Sequence, residues 1–227
     1  MNLATIIEGH PAESRALISR GRPTDYGTLR EQVAGLRTGL IDLGLEPGDR
    51  LAIVSGNNRY FVVAYLAALG AGLVAVPLNP TSPSAALAKE LNTVGARAVI
   101  VGPAGRGVVE GIDRAELCGL EFVIGAGFTP EGGLSIDELS TDTSAPVVDR
   151  KPDDVAVLIF TSGTAGAPQA AMLTHGNLYA NIRQATASDD GDQVPEDVVF
   201  GVLPLFHIFG LNVVLGVSLY VGSSVLL

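Results

Sequence analysis

The sequence predicts an α/β protein in which a mostly parallel sheet is covered by helices. Short apolar segments typical of buried strands alternate with helical segments along the first hundred residues. In the first helical segment, apolar side chains recur at steps of three and four, on one face: Leu29, Val33, Leu36, Leu40 and Leu43. Neither a repeat period nor a long low-complexity segment interrupts this alternation.

The individual elements follow from apolar runs and the turn residues that end them. Strands are predicted at 15–20, 51–54, 74–76, 98–101, 155–160, 198–203 and 224–227. Helices are predicted from about residue 28 to 45 and at 59–71, 87–94, 175–187 and 206–220. The helix at 175–187 is expected to begin near Thr174 or His175.

Composition and charge exclude several functional classes. Apolar residues make up 47% of the 227 residues and charged residues 17%, as in globular domains. The net charge of −10 gives nucleic acid no electrostatic attraction, so no nucleic-acid partner is expected. The single Cys118 excludes an internal disulfide and a cysteine-based zinc site, and no other metal site is predicted. The first residues lack the basic start of a secretory signal, which favours a cytoplasmic location.

The segment from Thr161 to Gln169 is the candidate for an anion-binding loop. It reads Thr-Ser-Gly-Thr-Ala-Gly-Ala-Pro-Gln and directly follows the apolar strand at 155–160. Glycines let backbone N–H groups turn toward an anion, and hydroxyls donate further hydrogen bonds. An ordinary polar turn is the alternative. The segment is neither a Walker loop nor a Gly-x-Ser-x-Gly elbow, since neither spacing is present.

The longer run from Thr161 to Asn177 resembles the phosphate-binding signature of the adenylate-forming superfamily, which includes acyl-CoA synthetases. Two further stretches are similar to other parts of that family. The first combines Gly48-Asp49-Arg50-Leu51-Ala52-Ile53 with the residues up to Val76-Pro77-Leu78-Asn79-Pro80, and the second is Pro204-Leu205-Phe206-His207-Ile208-Phe209-Gly210. The resemblance therefore covers nearly the whole chain and implies the three-layer α/β/α N-terminal domain of the adenylate-forming fold.

The resemblance implies an ATP-dependent acid activation. An acid carboxylate attacks the α-phosphate of ATP, and coenzyme A then displaces AMP to give a thioester. In this family, the β- and γ-phosphates would be held by Thr161, Ser162, Gly163, Thr164 and Gly166. Thr164 would stabilise the charge that develops as pyrophosphate leaves, and His207 would lie where acyl chain and phosphates meet. For His207, a buried and hydrogen-bonded core histidine is the alternative.

Two departures from the family pattern affect the expected cofactors. Ala165 replaces a threonine, and Gln169 replaces a lysine that would sit beside the polyphosphate. An amide cannot supply that positive charge, so weaker ATP binding is expected. The family implies ATP, Mg²⁺ and coenzyme A for the complete enzyme, but none is expected to bind tightly here. The expected substrate is a small carboxylic acid, with a fatty acid favoured by family frequency alone.

The chain is expected to be an incomplete member of the family. Residues 1–227 correspond to part of the N-terminal AMP-binding domain, with a candidate subdivision near 145–153 and without the C-terminal lid domain. Because the motifs for adenine, ribose and magnesium are missing, the chain is expected to be inactive alone. The strand at 224–227 is expected to form an open sheet edge through which copies could self-associate.

Two other functions compete with this interpretation. A non-catalytic remnant of the family would bind nucleotide weakly or not at all. A membrane-associated protein is the second alternative, because His207 is the only ionisable side chain between Gly201 and Leu227. Pro204 and the glycines break that run, and basic flanks are missing, so no transmembrane segment is expected.

Overall fold

The computed structural model describes residues 1–161, 169–187 and 193–227, which form an α/β fold with two sheets. The larger sheet has seven strands in the order β7-β6-β5-β3-β4-β8-β9. Its strands are β3 (Arg50–Val54), β4 (Val74–Leu78), β5 (Ala98–Val101), β6 (Phe122–Gly125), β7 (Leu134–Ser135), β8 (Val155–Thr161) and β9 (Gln169–Thr174). Its neighbouring strands run parallel, except for the β8–β9 pair.

The smaller sheet has four strands in the order β10-β11-β1-β2. These strands are β1 (Arg15–Ser19), β2 (Arg22–Asp25), β10 (Val198–Phe200) and β11 (Ser224–Leu226). The β1–β2 pair is an antiparallel hairpin, whereas β11 runs parallel to both of its neighbours. The chain therefore builds this sheet from its first and its last strands.

Helices cover the larger sheet on both faces. They are α1 (Tyr26–Asp42), α2 (Arg59–Gly70), α3 (Ser84–Val94), α4 (Arg106–Glu110), α5 (Ile136–Leu139), α6 (His175–Thr186) and α7 (Val217–Val221). Helices α1 and α2 pack in one apolar core with Leu51, Ile53 and strand β1, so they lie between the two sheets. Helix α3 packs in a second core against the opposite face of β3 and β4. This layering confirms the predicted α/β/α arrangement around the larger sheet.

Capping side chains fix the starts of α1 and α6. Asp25 accepts a hydrogen bond from the Thr28 N–H at 2.7 Å, so α1 begins at Tyr26 rather than at Thr28. Thr174 caps α6 and forms a reciprocal capping box with Asn177, as its position in the sequence predicted.

Several elements differ from the sequence prediction. Strand β9 was not predicted, because its alternation is weak and only its pairing with β8 makes it extended. Strand β10 ends at Phe200, before the predicted limit. The predicted helix at 206–220 is instead a π-helical segment, Phe209–Gly216, that continues into α7. Apolar periodicity does not distinguish these two helix types.

The expected open edge at the end of the chain is wrong. Strand β11 pairs with β10 on one side and with β1 on the other, so it lies inside the smaller sheet. Its pairing with β1 joins residues about two hundred positions apart, which local sequence patterns do not reveal. The edges of this sheet are β10 and β2.

A segment without helix or strand, residues 140–154, crosses the outer surface of α1. The buried Arg37 donates from Nε to the Ala145 carbonyl at 2.9 Å, and Thr38 donates to the Thr143 carbonyl at 2.9 Å. Gly39 permits this close approach, because a Cβ there would overlap the Leu139 carbonyl. The candidate subdivision near 145–153 falls in this segment, and it stays a prediction.

We expect Gly39→Ala to lower the free energy of unfolding by about 1–3 kcal/mol, because the added methyl group forces the segment at 139–145 away from α1. Gly107→Ala in α4 is the matched control, since a Cβ there meets no atom within 4 Å. Urea denaturation of both variants measures the difference. Equal stabilities would show that the segment does not pack tightly on α1.

Candidate functional site

A cavity of about 200 Å³ lies at the carboxyl ends of β4 and β8. These two strands are parallel neighbours, so the residues that follow them meet at one edge of the sheet. The cavity is lined by Pro77, Leu78, Asn79, Ser82, Glu90, Phe160, Thr161, Phe206 and His207. It therefore contains two of the residues that the sequence singled out, Thr161 and His207.

Thr161 and Gln169 mark the two ends of the predicted phosphate-binding segment. They lie directly opposite each other, Thr161 on the last position of β8 and Gln169 on the first position of β9. Both side chains are exposed. The remaining predicted phosphate ligands lie outside the described residues: Ser162, Gly163, Thr164 and Gly166, together with the departure Ala165. Of the two described ends of the predicted segment, Thr161 lines the cavity, and Gln169 pairs with it on the neighbouring strand.

His207 is exposed, so the alternative of a buried core histidine is wrong. Its ring contacts the Phe206 ring with centroids 4.7 Å apart. Its backbone is fixed on both sides, because its N–H donates to the Pro204 carbonyl at 3.1 Å and its carbonyl accepts from Leu211 at 2.9 Å. The side chain is consequently available to a ligand at the mouth of the cavity.

Asn57 fixes the segment that carries His207, a role that sequence reasoning missed. Its Nδ2 donates to the carbonyls of Gly201 at 2.9 Å and Leu203 at 2.8 Å. Its Oδ1 accepts from the Leu205 N–H at 2.9 Å. One side chain in the β3–α2 connection thereby satisfies three backbone groups about 145 positions later. An isolated asparagine in a Gly-Asn-Asn turn gives no local signal for such a contact.

Glu90 is a second residue of the cavity that sequence reasoning missed. It lies on α3, and burial raises the pKa of its carboxyl above the usual range. Among the described residues, its buried Oε2 has no hydrogen-bond partner, and no lysine or arginine lines this cavity. The missing lysine at Gln169 and the lack of a lysine or arginine in the described part of the cavity both act against the binding of a polyphosphate here.

The buried histidine of the chain is His175, the first residue of α6. Its Nδ1 accepts a hydrogen bond from the Leu3 N–H at 3.1 Å, so the ring is neutral with its proton on Nε2. Burial, followed by the nearby Arg150 guanidinium, lowers the pKa of His175 to about 4. This residue therefore connects the start of the chain to the β9–α6 junction and needs to remain uncharged.

The described residues could contact a phosphate group of the implied nucleotide, but they do not provide a magnesium site. Thr161 offers a hydroxyl at the cavity, as a phosphate would require, but no cationic side chain of the described residues accompanies it. Within the described ranges, no group of three or more His, Cys, Asp or Glu side chains is arranged to hold a metal ion. The site geometry therefore fits one part of a nucleotide site without its magnesium ligands.

The fold and the cavity define an α/β protein with a ligand site at the carboxyl ends of parallel strands. A sequence profile described as AMP-binding enzyme matches residues 3–227. The 4-coumarate–CoA ligase 3 of Arabidopsis thaliana is 34% identical over 217 residues, which cover 92% of this chain and 38% of that protein.

Two solved structures are similar to this chain over its whole length. The ATP-bound MatB of Rhodopseudomonas palustris is 27% identical with a TM-score of 0.83, covering 100% of this chain and 45% of that one. A benzoate CoA ligase of Burkholderia xenovorans LB400 is 28% identical with a TM-score of 0.85, at the same coverages. The chain belongs to the AMP-binding enzyme family, whose members form adenylates. It spans less than half the length of these relatives.

The stability of the protein should fall between pH 6.5 and pH 4 because of His175. The unfolded chain takes up a proton near the ordinary pKa of 6.5, whereas the folded chain resists it until about 4. The contribution of neutral His175 to the free energy of unfolding is fully present above pH 6.5, and about 2 kcal/mol of it is lost at pH 5. Urea denaturation of wild type and His175→Gln at pH 7.5 and 5 tests this. An unchanged pH dependence in the variant would contradict the assignment.

Gln169→Lys should tighten ATP binding by roughly tenfold where the rest of a family site is present, because it adds a positive charge beside the phosphates. Calorimetry on a chimera completed with the remaining portion of a relative measures it. Met172→Lys is the matched control, since it adds the same charge at an exposed position three residues further along β9. Equal ATP affinities for the chimera with and without Gln169→Lys would mean that this position is remote from the phosphates.

Proposed function

We propose that this chain is the N-terminal portion of an ATP-dependent acyl-CoA synthetase. The observation that carries the proposal is the convergence of Thr161 and His207 in one cavity. A carboxylate bound there would attack the α-phosphate of ATP and release pyrophosphate. The thiol of coenzyme A would then attack the acyl carbonyl, lose its proton and displace AMP.

The proposed roles follow the family motif. Thr161, Ser162, Gly163, Thr164 and Gly166 would donate hydrogen bonds to the β- and γ-phosphates. Thr164 would stabilise the charge that grows as pyrophosphate departs. His207 would contact the acid at the junction with the phosphates, which its exposed position at the cavity supports.

The acid is proposed to be apolar. Ile208 and Phe209, directly after His207, are large apolar side chains that are 40% and 58% exposed. A hydrocarbon or aromatic ring bound beside His207 would cover them. Family frequency favours a fatty acid, whereas the relatives named for 4-coumarate and benzoate favour an aromatic acid. A substrate panel needs to contain both classes.

We further propose that this chain requires a second portion for activity. The 4-coumarate–CoA ligase, MatB and the benzoate CoA ligase are more than twice its length, and the described residues offer no cluster that could hold magnesium. A catalytic site whose members cooperate loses far more than additively when some are missing. The complementary portion would supply the groups that bind adenine, ribose and magnesium.

Two alternatives make different predictions. A non-catalytic remnant of the family is favoured by Gln169, which supplies no positive charge, and by the cavity itself, which no lysine or arginine lines among the described residues. For the membrane-associated alternative, none of the helices in the described ranges is long and apolar enough to cross a bilayer.

Copies of the chain are proposed to self-associate through β10, because β11 lies inside the smaller sheet. Strand β10 is an edge strand that pairs only with β11 among the described strands. Val198 and Phe200 on this strand and Val202 just after it are 50%, 67% and 62% exposed. An apolar edge strand promotes pairing with another chain.

ATP–pyrophosphate exchange tests the proposed function. We expect no exchange with the chain alone, and exchange with apolar acids once a relative's remaining portion is fused to it. The panel contains 4-coumarate, benzoate and fatty acids of several lengths. Thr164→Ala in the fused protein should lower the rate by roughly a hundredfold, the cost typical of losing one transition-state donor.

The outcomes separate the alternatives. A fused protein that is well folded but shows no exchange with any acid would favour the non-catalytic remnant. Exchange by the unfused chain above its own Thr164→Ala variant would contradict the requirement for a second portion.

A further inference from the structure

The amide of Asn57 pairs with alternate peptide groups of one stretch of backbone, residues 201–205, as a neighbouring strand would. Its Nδ2 donates to two carbonyls, and its Oδ1 accepts from one N–H. These partners fix the orientation of the amide, since exchanging its oxygen and nitrogen would place an oxygen against two carbonyl oxygens. An aspartate would lose both donors, and a serine would offer one. The contact therefore depends on the amide group itself.

The stretch 201–205 obtains little order from its own side chains. It contains neither helix nor strand, and Val202 and Leu203 are 62% and 40% exposed. Its first N–H donates to β11, and the buried Leu205 fixes its other end. Between these two ends, the amide of Asn57 supplies hydrogen bonds that hold the backbone in place.

Asn57 is itself held at the centre of the larger sheet. It lies in the connection between β3 and α2, and β3 pairs with β4 on one side and β5 on the other. The next residue, Asn58, caps α2, because its Oδ1 accepts from the Phe61 N–H at 3.1 Å. Its Nδ2 donates to the Ser55 hydroxyl at 3.0 Å. The backbone on both sides of Asn57 is therefore fixed.

The contact of Asn57 joins parts of the candidate site that come from different sheets. Thr161 lies at the end of β8, and Asn79 follows β4, so both are placed by the larger sheet. His207 follows β10, an edge strand of the smaller sheet that pairs only with β11 among the described strands. The stretch 201–205 leads from β10 to His207 and meets the end of β3 at Asn57. The position of His207 relative to Thr161 consequently depends on this contact.

We propose that Asn57 is the positioning residue of His207. Asn57 does not line the cavity, so it acts through the backbone that carries the imidazole. That backbone continues into a turn in which the His207 N–H donates to the Pro204 carbonyl at 3.1 Å, so a displacement of residues 201–205 moves the imidazole with it. The consequence for acid activation rests on the proposed function, whereas the placement of the imidazole does not.

NMR spectroscopy of the intact chain tests the placement. The chain has three histidines, so the ring signals of His207 can be followed against those of His10 and His175. We expect Asn57→Ala to move the His207 signals toward those of a free histidine. The ring then samples several positions, and its contact with Phe206, with centroids 4.7 Å apart, is averaged. The signals of the other two histidines should stay unchanged.

Hydrogen exchange of the intact chain gives a second measurement. The Leu205 N–H donates to Asn57 Oδ1 at 2.9 Å, so it should exchange roughly tenfold faster in Asn57→Ala, the effect of losing about one hydrogen bond.

Asn92→Ala is the matched control. The side chain of Asn92, on α3, forms the same kind of contact, since its Nδ2 donates to the Glu116 carbonyl at 2.7 Å and its Oδ1 accepts from the Cys118 N–H at 2.8 Å. That loop leads into the start of β6, at the opposite end of the larger sheet from the cavity. The control therefore loses a comparable contact and should leave the His207 signals unchanged.

Pyrophosphate exchange in the chain fused to a relative's remaining portion measures the consequence for acid activation. Asn57→Ala should lower kcat/KM for the acid by roughly tenfold, because the imidazole no longer keeps one position beside it. The KM for ATP should change less, since Thr161 and Gln169 are held by β8 and β9. Absence of exchange in the fused wild type would count against the proposed function and would leave the NMR result standing.

Three results would overturn the positioning role. The first is an unchanged set of His207 signals in a folded Asn57→Ala chain, and the second is an equal change in Asn92→Ala. If Asn57→Ala does not fold, Asn57→Ser replaces it under the same criteria, because serine keeps one donor. The third result is loss of folding in both Asn57 variants but not in Asn92→Ala, which would make Asn57 a structural residue.

Discussion

The parallel pairing of β4 with β8 is the constraint on which the candidate site depends. Parallel strands end at the same edge, so this pairing brings Leu78 and Asn79 beside Thr161 although about eighty residues separate them. The β8–β9 hairpin then returns the chain to the same edge at Gln169. Asn57, from the connection after β3, binds the segment that leads to His207. Strand ends thus supply Leu78 and Thr161 to the cavity, whereas Glu90 comes from α3.

Two cavities at that edge differ in the charged side chains that line them. Among the described residues, the cavity of Thr161 and His207 contains the carboxyl of Glu90, whose pKa burial raises, and no lysine or arginine. The other cavity, of about 340 Å³, carries three positive charges, those of Arg20, Arg22 and Arg59. The positive charges of these two cavities therefore lie apart from Thr161 and His207.

The two histidines of the signature regions show how burial changes a role. His175 and His207 both lie in stretches that resemble family motifs. His175 is fully buried against Leu3 and stays neutral, so it contributes packing and a hydrogen bond. His207 is exposed beside Phe206 at the cavity. Because the covering segment at the chain start is remote in sequence, local patterns do not reveal which histidine is buried.

The sequence alone determined the alternation of strands and helices and the capped start of α6, because apolar periodicity and capping side chains act over a few residues. The resemblance of the run from Thr161 to Asn177 to a known signature indicated the family. It also marked Thr161, Gln169 and His207 as candidates. Tertiary structure alone decided the extended state of β9, the interior position of β11, the presence of Glu90 in the cavity and the convergence of Arg20, Arg22 and Arg59. Each of these depends on contacts between segments far apart in the chain, where sheet pairing and burial, rather than neighbouring residues, set the free energy.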